Sequence, residues 1–284
     1  MRRRRRVTPD GRCRARAIWP GGWLFLLAST AGRSGIPGFA PENSAAANGL
    51  ALAEEADRRG QGYGDSQSSM TMTLFDGRGA SVTRAMRSKT LEGLAAEADG
   101  ERTLLVFDRP RDVRGTAFLT HSHRERDDDQ WLYLPSLKRV KRITSRNRAG
   151  SFMSSEFSYE DLGNDEVAKY DYRYLGQDLL DGEQTYTLER TPKRDSGYSR
   201  HVVWLATDTL NVRKVDYYDR GDRLLKTLRA SGYQQYLGRY WRPDTMHMMN
   251  HQTGRSTTLS WQNYTFGAGL AADEFERSAL RDTR

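Results

Sequence analysis

The sequence predicts a mainly β protein of the α+β class, built on a single curved antiparallel sheet. Three observations lead to this prediction. Apolar and hydroxyl side chains alternate in short segments such as residues 69–74, and a period of two is typical of strands buried on one face. Turn-forming pairs such as Asp76-Gly77 separate the segments. The connections are too short to hold the helices that join parallel strands, which disfavours an α/β fold.

One helix is predicted before the strands. Residues 49–59 are mostly strong helix formers, and Gly60 follows them as a stop signal. Strands are predicted at 69–74, 81–90, 102–107, 116–123, 130–143, 168–177, 184–190, 199–206, 212–219, 223–236, 240–251 and 256–266. Together they form an antiparallel meander in one domain, because no repeat or linker indicates a second.

Residues 150–162 interrupt the strand pattern. They are rich in aromatic and small polar residues, show no clean alternation, and are flanked by Gly150 and Gly163. Such a segment suits a loop with helical turns that covers an apolar surface, which predicts a lid. A loop that merely plugs the core is an equally good interpretation. The lid residues would be Phe152, Met153, Phe157 and Tyr159.

The amino terminus resembles an export signal. Arg2 to Arg6 begin a cationic region, and the apolar run at 18–30 is shorter than the roughly 20 residues that cross a bilayer. Small residues at 28–31 and at 45–47 give two candidate cleavage sites, of which we prefer the second. We therefore predict a removed leader at 1–47, a single domain at 48–284, and a periplasmic location. The one cysteine, Cys13, lies in the leader, so no disulfide is expected.

The net charge of +8 belongs to the leader. Residues 1–40 contain nine arginines and one acidic residue, Asp10, and removing them leaves 36 basic and 36 acidic residues. Nucleic-acid binding needs a surplus of positive charge on the folded domain, so it is not expected.

The residues that most often carry chemistry form no recognisable constellation. His121 and His123 share a strand face and are followed by three aspartates at 127–129, but the spacing fixes no third metal ligand. His247 and His251 are equally unspecific. No phosphate-binding loop, nucleophile elbow or zinc-protease helix follows the leader. We expect no enzyme, no metal and no cofactor.

Large apolar side chains recur on the predicted strands and indicate a binding cavity. Adaptable methionine and rigid aromatic residues suit an interior that accepts flexible chains, although ordinary core packing explains them too. The predicted cavity residues are Met70, Met72, Leu74, Met86, Phe107, Phe118, Trp131, Tyr133, Trp204, Met246, Met248 and Trp261.

A dense group of positive charges lies at Lys138, Arg139, Lys141 and Arg142. We call these four residues the cationic strip. One interpretation is an edge strand that charge protects from pairing with other chains. The other is a docking surface for anionic lipid head groups or for a membrane partner.

Several sequence words resemble one bacterial family, the outer-membrane lipoprotein-sorting proteins. They are DDDQWLYLP at 127–135, LKRVKRI at 137–143, GSFM at 150–153 and SEFSYEDL at 155–162, with weaker matches at 60–72, 112–117, 196–200, 224–228, 241–242 and 250–254. Ser154 departs from the family pattern, which has glycine there.

This resemblance implies an incomplete β-barrel, related to the carrier LolA and the receptor LolB, whose apolar face is covered by helices and holds acyl chains. It also implies a monomeric shuttle for a lipid or an acylated lipoprotein, with an inner-membrane exporter as partner, and it carries over no catalytic residue. The alternative function is a periplasmic sensor or adaptor that docks on a membrane protein through the cationic strip.

Overall fold

The computed structural model describes residues 35–93 and 100–281. The cationic region, the apolar run, Cys13 and the earlier candidate cleavage site therefore lie outside the described residues, whereas residues 45–47 lie within them. Within the described part of the chain, no helix is long and apolar enough to span a membrane.

The predicted helix is present as α1 (Ala45–Gly60). It begins four residues earlier than predicted because Ser44 caps it, accepting a hydrogen bond from the Ala47 amide at 3.1 Å. Gly49 lies against the backbone of residues 173 and 174, where an added Cβ would come within 2.8 Å of the Tyr174 nitrogen. The missing side chain lets α1 pack closely on the sheet, and Leu52 enters the core with no exposed surface.

Fifteen strands are described. They are β1 (Asp65–Phe75), β2 (Ser81–Leu91), β3 (Arg102–Arg109), β4 (Ala117–His121), β5 (Asp129–Leu134), β6 (Arg139–Ile143), β7 (Tyr170–Leu180), β8 (Glu183–Pro192), β9 (Tyr198–Ala206), β10 (Val212–Asp219), β11 (Leu224–Ser231), β12 (Gln234–Tyr236), β13 (Tyr240–Arg242), β14 (Thr245–Asn250) and β15 (Ser256–Phe266). Short 3₁₀ turns lie at Ser145–Asn147, Phe152–Ser154, Glu160–Leu162, Val167–Lys169, Ala272–Phe275 and Ala279–Arg281.

Thirteen strands form one antiparallel sheet, and β12 and β13 pair separately as a hairpin. The sheet order is β6-β5-β4-β3-β2-β1-β15-β14-β11-β10-β9-β8-β7. Two meanders, β1 to β6 and β7 to β11, are joined by β14 and β15. Since β6 and β7 are the two edges and do not pair, the barrel is open. The predicted fold class, a mainly β protein with an incomplete barrel and one amino-terminal helix, is confirmed.

Three of the predicted strands were wrong in extent, because each contains a break. Residues 130–143 divide into β5 and β6 at a turn where Lys138 has φ 49° and donates its amide to the Pro135 carbonyl. Residues 223–236 divide at Gly232, whose φ of 66° suits glycine. Residues 240–251 divide at Pro243, which has no amide to donate to a neighbouring strand.

The sheet buries both faces. We call the face that holds the larger apolar cluster the inner face; α1 and the connection from β6 to β7 pack against it. On the outer face, Phe275 and Leu280 of the carboxy-terminal turns cover Leu104 and Leu119. Strand β3 supplies both faces, since Leu105 and Phe107 point inward while Leu104 and Val106 point outward.

Candidate functional site

The connection between β6 and β7 enters the inner face. We call residues 150–162 within it the plug segment. Phe152 has no exposed surface and Phe157 is 3% exposed. The ring of Phe152 lies 5.0 Å from that of Phe118 and 5.9 Å from that of Phe107, between centroids. The plug segment therefore fills the space in front of Phe107 and Phe118, two of the predicted cavity residues.

The backbone of the plug segment is tightly turned. The Phe152 amide donates to the Phe157 carbonyl at 2.7 Å, and Ser151 and Ser158 form an isolated β-bridge. Met153 and Ser154 both have positive φ, of 48° and 63°. Ser154 is the position where the family pattern has glycine, and this left-handed conformation gives the physical reason for that pattern.

Polar side chains of the sheet hold the plug segment in place. Arg84 of β2 donates to the Met153 carbonyl at 2.5 Å, and Gln130 of β5 donates to the Tyr159 carbonyl at 2.8 Å. The Glu156 amide donates to Oγ1 of Thr257 in β15 at 3.0 Å. Hydrogen bonds from three strands thus fix the segment at both ends and in the middle.

A buried ion pair also anchors the plug segment. Nζ of Lys226 in β11 lies 2.5 Å from Oδ2 of Asp161 in the plug segment, and the two side chains are 4% and 2% exposed. Tyr198 of β9 donates its hydroxyl to Oδ1 of Asp161 at 2.8 Å, and the Ser158 amide donates to Oδ2 at 2.6 Å. Lys226 also donates to the Glu156 carbonyl at 3.0 Å.

Lys226 belongs to a row of polar residues that crosses the inner face. Strand register aligns one residue from each of β7, β8, β9, β10, β11 and β14, and every neighbouring pair lies directly opposite. We call this set the polar row: Tyr172, Arg190, His201, Tyr217, Lys226 and Asn250. The next row on the same face is apolar and contains Leu188, Val203, Val215, Leu228 and Met248.

His201 is the most enclosed member of the polar row, at 2% exposed. Burial lowers its pKa well below the ordinary value, and the charges of Arg190 and Lys226 act in the same direction. Nε of Arg190 donates to Nδ1 of His201 at 2.9 Å. The imidazole is therefore neutral with its proton on Nε2, and among the described residues Nε2 has no hydrogen-bond partner.

Nine of the twelve predicted cavity residues lie in or against the inner-face cluster. They are Met70, Met72, Leu74, Met86, Phe107, Phe118, Met246, Met248 and Trp261. The four predicted lid residues, Phe152, Met153, Phe157 and Tyr159, join the same cluster. These nine residues and the plug segment therefore belong to one apolar cluster on the inner face.

The other three predicted cavity residues lie on the opposite side of the sheet. Trp131 and Tyr133 pack in the outer-face cluster, because their neighbour Leu132 points inward. Trp204 alternates with the inward-facing Val203; its Nε1 donates to Asp178 at 2.9 Å, and Nζ of Lys214 lies 3.9 Å from its ring centroid. These three side chains do not reach the inner face.

Sequence reasoning did not find the polar row or Asp161. The available signal was the spacing of two residues along a strand, which places side chains on the same face. Arg190 lies two residues from Leu188, and Lys226 lies two residues from Leu228, so each shares a face with a core residue. The identity of the partner strands, which only the fold supplies, was needed to align them.

The cationic strip begins directly before β6 and runs along it. Among the described residues, β6 is an edge strand that pairs with β5 alone. Lys138, Arg139, Lys141 and Arg142 are all exposed. Arg142 forms an ion pair with Asp129. The strip is therefore an accessible, positively charged edge.

Each of the four histidines considered as metal ligands forms a hydrogen bond. Nε2 of His121 is 2.7 Å from the Phe275 carbonyl, and Nε2 of His123 is 3.0 Å from Oδ2 of Asp129. His247 and His251 contact the hydroxyls of Thr258 and Thr227, at 2.9 and 2.8 Å. The described part of the chain contains no group of three or more potential ligands placed to hold a metal ion.

Comparison with known proteins decides the family. A crystal structure of a domain assigned as an outer membrane lipoprotein-sorting protein, from Vibrio parahaemolyticus, is 48% identical, covers 83% of this chain and 99% of its own, and has a TM-score of 0.80. This chain belongs to the outer-membrane lipoprotein-sorting family. The resemblance found in the sequence is thereby confirmed.

Other known proteins are also similar to this chain in sequence or in fold. A DUF1329 family protein from Desulfovibrio piger is 38% identical, with 84% of this chain and 100% of that chain covered and a TM-score of 0.80. A LolA superfamily protein from Nitrosomonas europaea shares the fold at 20% identity, with 81% and 98% covered and a TM-score of 0.64. A family model described as "Uncharacterized protein" matches residues 99–282. No curated protein matches the chain significantly.

Proposed function

We propose that this protein is a non-enzymatic periplasmic carrier that binds a lipid, or the acyl chain of a lipoprotein, on the inner face of its open barrel. The observation that supports this proposal is the plug segment, whose apolar side chains come from a connection between strands and fill the interior of the open barrel. Phe152 and Phe157 occupy the place that an acyl chain would take.

Exchange between plug and acyl chain is energetically reasonable. Withdrawing Phe152 and Phe157 exposes two apolar side chains, at about 1.5–3 kcal/mol each, whereas each buried methylene of a lipid gains about 0.8 kcal/mol. A long acyl chain therefore offsets the loss of both rings. Met70, Met72, Met86 and Met248 suit this exchange, because unbranched thioether side chains adapt to ligands of different shape.

Transport between membranes follows from the leader and from the relatives. The amino-terminal features predict export, and the Vibrio parahaemolyticus relative is named for lipoprotein sorting. We infer that the carrier receives its cargo at the inner membrane, from an exporter, and releases it at the outer membrane.

A disulfide that locks the plug segment tests the carrier proposal. The Glu156 amide lies 3.0 Å from Oγ1 of Thr257, so the two positions are neighbours, and a Glu156→Cys/Thr257→Cys variant is the one to cross-link, with mass spectrometry to verify the disulfide. The chain downstream of the leader contains no other cysteine. The oxidised variant should bind no fluorescent fatty acid, and reduction should restore binding.

The two single cysteine variants control for the substitutions themselves and should bind fatty acid under both conditions. Equal binding by the oxidised and reduced double variant would contradict entry through displacement of the plug segment. Failure of the unmodified, delipidated protein to bind any lipid would contradict the carrier function itself.

The accessible cationic edge supports a second candidate, an adaptor that docks on a membrane partner. Arg139 and Lys141 lie on β6 and Lys138 directly precedes it; all three are exposed, and among the described residues this edge strand pairs on one side only. Reversing the four charges of the cationic strip should abolish capture of the membrane partner while leaving lipid binding intact. Loss of lipid binding in that variant would count against a separate docking role.

A further inference from the structure

We propose that the cargo carries one anionic group beside its apolar chain, and that this group replaces the Asp161 carboxylate between Lys226 and Tyr198. The inference rests on the proposed carrier function and specifies the chemical class of the ligand. The anionic group would be a carboxylate or a phosphate ester.

The donors that surround Asp161 divide into two sets. Lys226 and Tyr198 belong to β11 and β9, while the Ser158 amide belongs to the plug segment, as does the accepting Asp161 carboxylate. When the plug segment withdraws, the carboxylate leaves with it and the two strand residues stay. An ammonium group and a phenol hydroxyl, both directed at the same absent carboxylate, then face the interior.

Withdrawal of the plug segment also removes the neutralising charge from an enclosed lysine. Lys226 is 4% exposed and has only Asp161 as an ion-pair partner among the described residues. A buried charge without a partner is strongly unfavourable. A neutral lipid would leave Lys226 in that condition, whereas an anionic lipid would restore the pair.

A second observation points to an anion at the same place. The neutral His201 ring has an unused donor at Nε2, and its centroid lies 4.9 Å from that of Tyr198 and 4.7 Å from that of Tyr217. Nζ of Lys226 lies over the same two tyrosines, 5.1 and 5.3 Å from their ring centroids. An unsatisfied buried donor thus adjoins the lysine that loses its anion.

The geometry of the sheet then positions an amphiphile. Its anionic group would lie at the polar row, and its chain would continue over the adjacent apolar row, which the strand register extends from Met248 through Thr257 to Leu74. Asp161 acts in the closed state as an internal substitute for the ligand anion, as Phe152 does for the chain.

A comparison of two lipids of equal chain length tests this inference. Hexadecanoate and hexadecan-1-ol would each compete with N-phenyl-1-naphthylamine, an uncharged fluorescent probe, for the delipidated protein below their aggregation concentrations. We expect hexadecanoate to bind at least about tenfold more tightly, one decade of affinity. Hexadecyl phosphate should share the preference, and inorganic phosphate alone should not displace the probe.

Three variants test whether Lys226 and Asp161 cause the preference for hexadecanoate over hexadecan-1-ol. Lys226→Met should abolish it while hexadecan-1-ol still binds. If that variant does not fold, Asp161→Asn/Lys226→Met leaves neither charge buried and should show the same loss. Asp161→Asn alone destabilises the closed state and so raises the fraction of protein in the open state that binds lipid. The apparent affinities for hexadecanoate and hexadecan-1-ol should then rise by the same factor, so their ratio should stay unchanged.

Lys214→Met is the matched control. Lys214 is also paired with an aspartate, Asp216 at 2.7 Å, but it lies on the outer face against Trp204. This variant should keep the preference for hexadecanoate. Equal binding of the two lipids by the unmodified protein, or a preference that survives in Lys226→Met, would overturn the inference. Displacement of the probe by neither lipid would instead overturn the carrier function.

Discussion

Asp161 of the plug segment and Lys226 of β11 form an ion pair inside the barrel, with 2.5 Å between Oδ2 and Nζ and almost no exposed side-chain surface. Removing one partner of such a pair typically costs about 3–5 kcal/mol. The closed state is thus stabilised by an interaction that is lost whenever the plug segment leaves. An occupant of the interior must compensate for that loss, which links opening of the barrel to the chemistry of its cargo.

Truncating Phe152 should weaken the protein and at the same time favour lipid. Phe152→Ala removes a fully buried ring between Phe107 and Phe118, and such changes cost about 3–5 kcal/mol of unfolding free energy. The loss falls on the closed state, so the fraction of open protein rises and the apparent fatty-acid affinity should increase. Urea unfolding and fatty-acid titration of one preparation measure both quantities.

Phe275→Ala serves as the matched control for Phe152. Phe275 is equally buried but packs on the outer face, away from the plug segment. This variant should lose a similar amount of stability without any gain in lipid affinity. A Phe152→Ala variant that is destabilised but binds lipid no better than Phe275→Ala would show that the plug segment is permanent core packing.

The sequence supports the sheet much better than the site. Period-two alternation and turn pairs are local signals, and they locate β2, β10 and β15 closely. The cavity residues were predicted from side-chain size alone. Trp131, Tyr133 and Trp204 lie outside the inner-face cluster because each is directly next to Leu132 or Val203, which point inward, and neighbouring residues of a strand point to opposite faces.

Long-range pairing explains what the sequence could not supply. Arg190, His201 and Lys226 are separated along the chain and become neighbours of one row only through the register of four strands. Asp161 lies 65 residues before Lys226. Their meeting depends on where the plug segment crosses the sheet, and no local pattern encodes that crossing.

The cationic strip should bind anionic membranes. Replacing Lys138, Arg139, Lys141 and Arg142 by glutamate should release the protein from phosphatidylglycerol vesicles in a sedimentation assay, because each basic residue near such a surface contributes about 1 kcal/mol. Added salt should weaken binding of the unmodified protein, since charge attraction is screened. The control reverses Arg78, Arg220 and Arg223, which are similarly exposed elsewhere. Equal release of both variants from the vesicles would show that membrane binding depends on the net charge of the protein and not on the cationic strip.

Glu55 should make α1 sensitive to acid. Its carboxylate accepts hydrogen bonds from Arg58 and Arg59, at 2.7 and 2.8 Å, and the bond from Arg58 is the main reason that its pKa falls from 4.5 to about 2. A lowered pKa stabilises the fold above pH 4.5, and this contribution disappears as the pH falls towards 2.

Glu55→Gln should therefore lower the unfolding free energy at pH 7, and its difference from the unmodified protein should vanish near pH 2. Denaturant unfolding at the two pH values measures this. Glu54→Gln, an exposed neighbour on the same helix, is the control and should change little. A Glu55→Gln deficit that persists undiminished at low pH would assign it to packing of the side chain and not to its charge.

The residues before α1 should be part of the folded domain, which favours the earlier of the two candidate cleavage sites. The Phe39 ring lies 5.2 Å from that of Tyr174 and 5.6 Å from that of Tyr186, between centroids. Asn48 exchanges two hydrogen bonds with the Ala40 backbone, at 3.0 and 2.8 Å, and Ser44 caps the helix. A chain that begins at residue 48 lacks all of these contacts.

The cost of that truncation can be estimated contact by contact. The Phe39 side chain is partly buried and contributes up to about 1.5–3 kcal/mol, and the Ser44 cap contributes about 1 kcal/mol. For a domain of this size about 1 kcal/mol shifts Tm by roughly 2–4 °C. The shorter chain should therefore melt roughly 5–15 °C below one that begins at residue 33, with Phe39→Ala in the longer chain reproducing part of the drop. Identical melting of the two chains would restore cleavage after residue 47, and mass spectrometry of the exported protein would then locate its first residue.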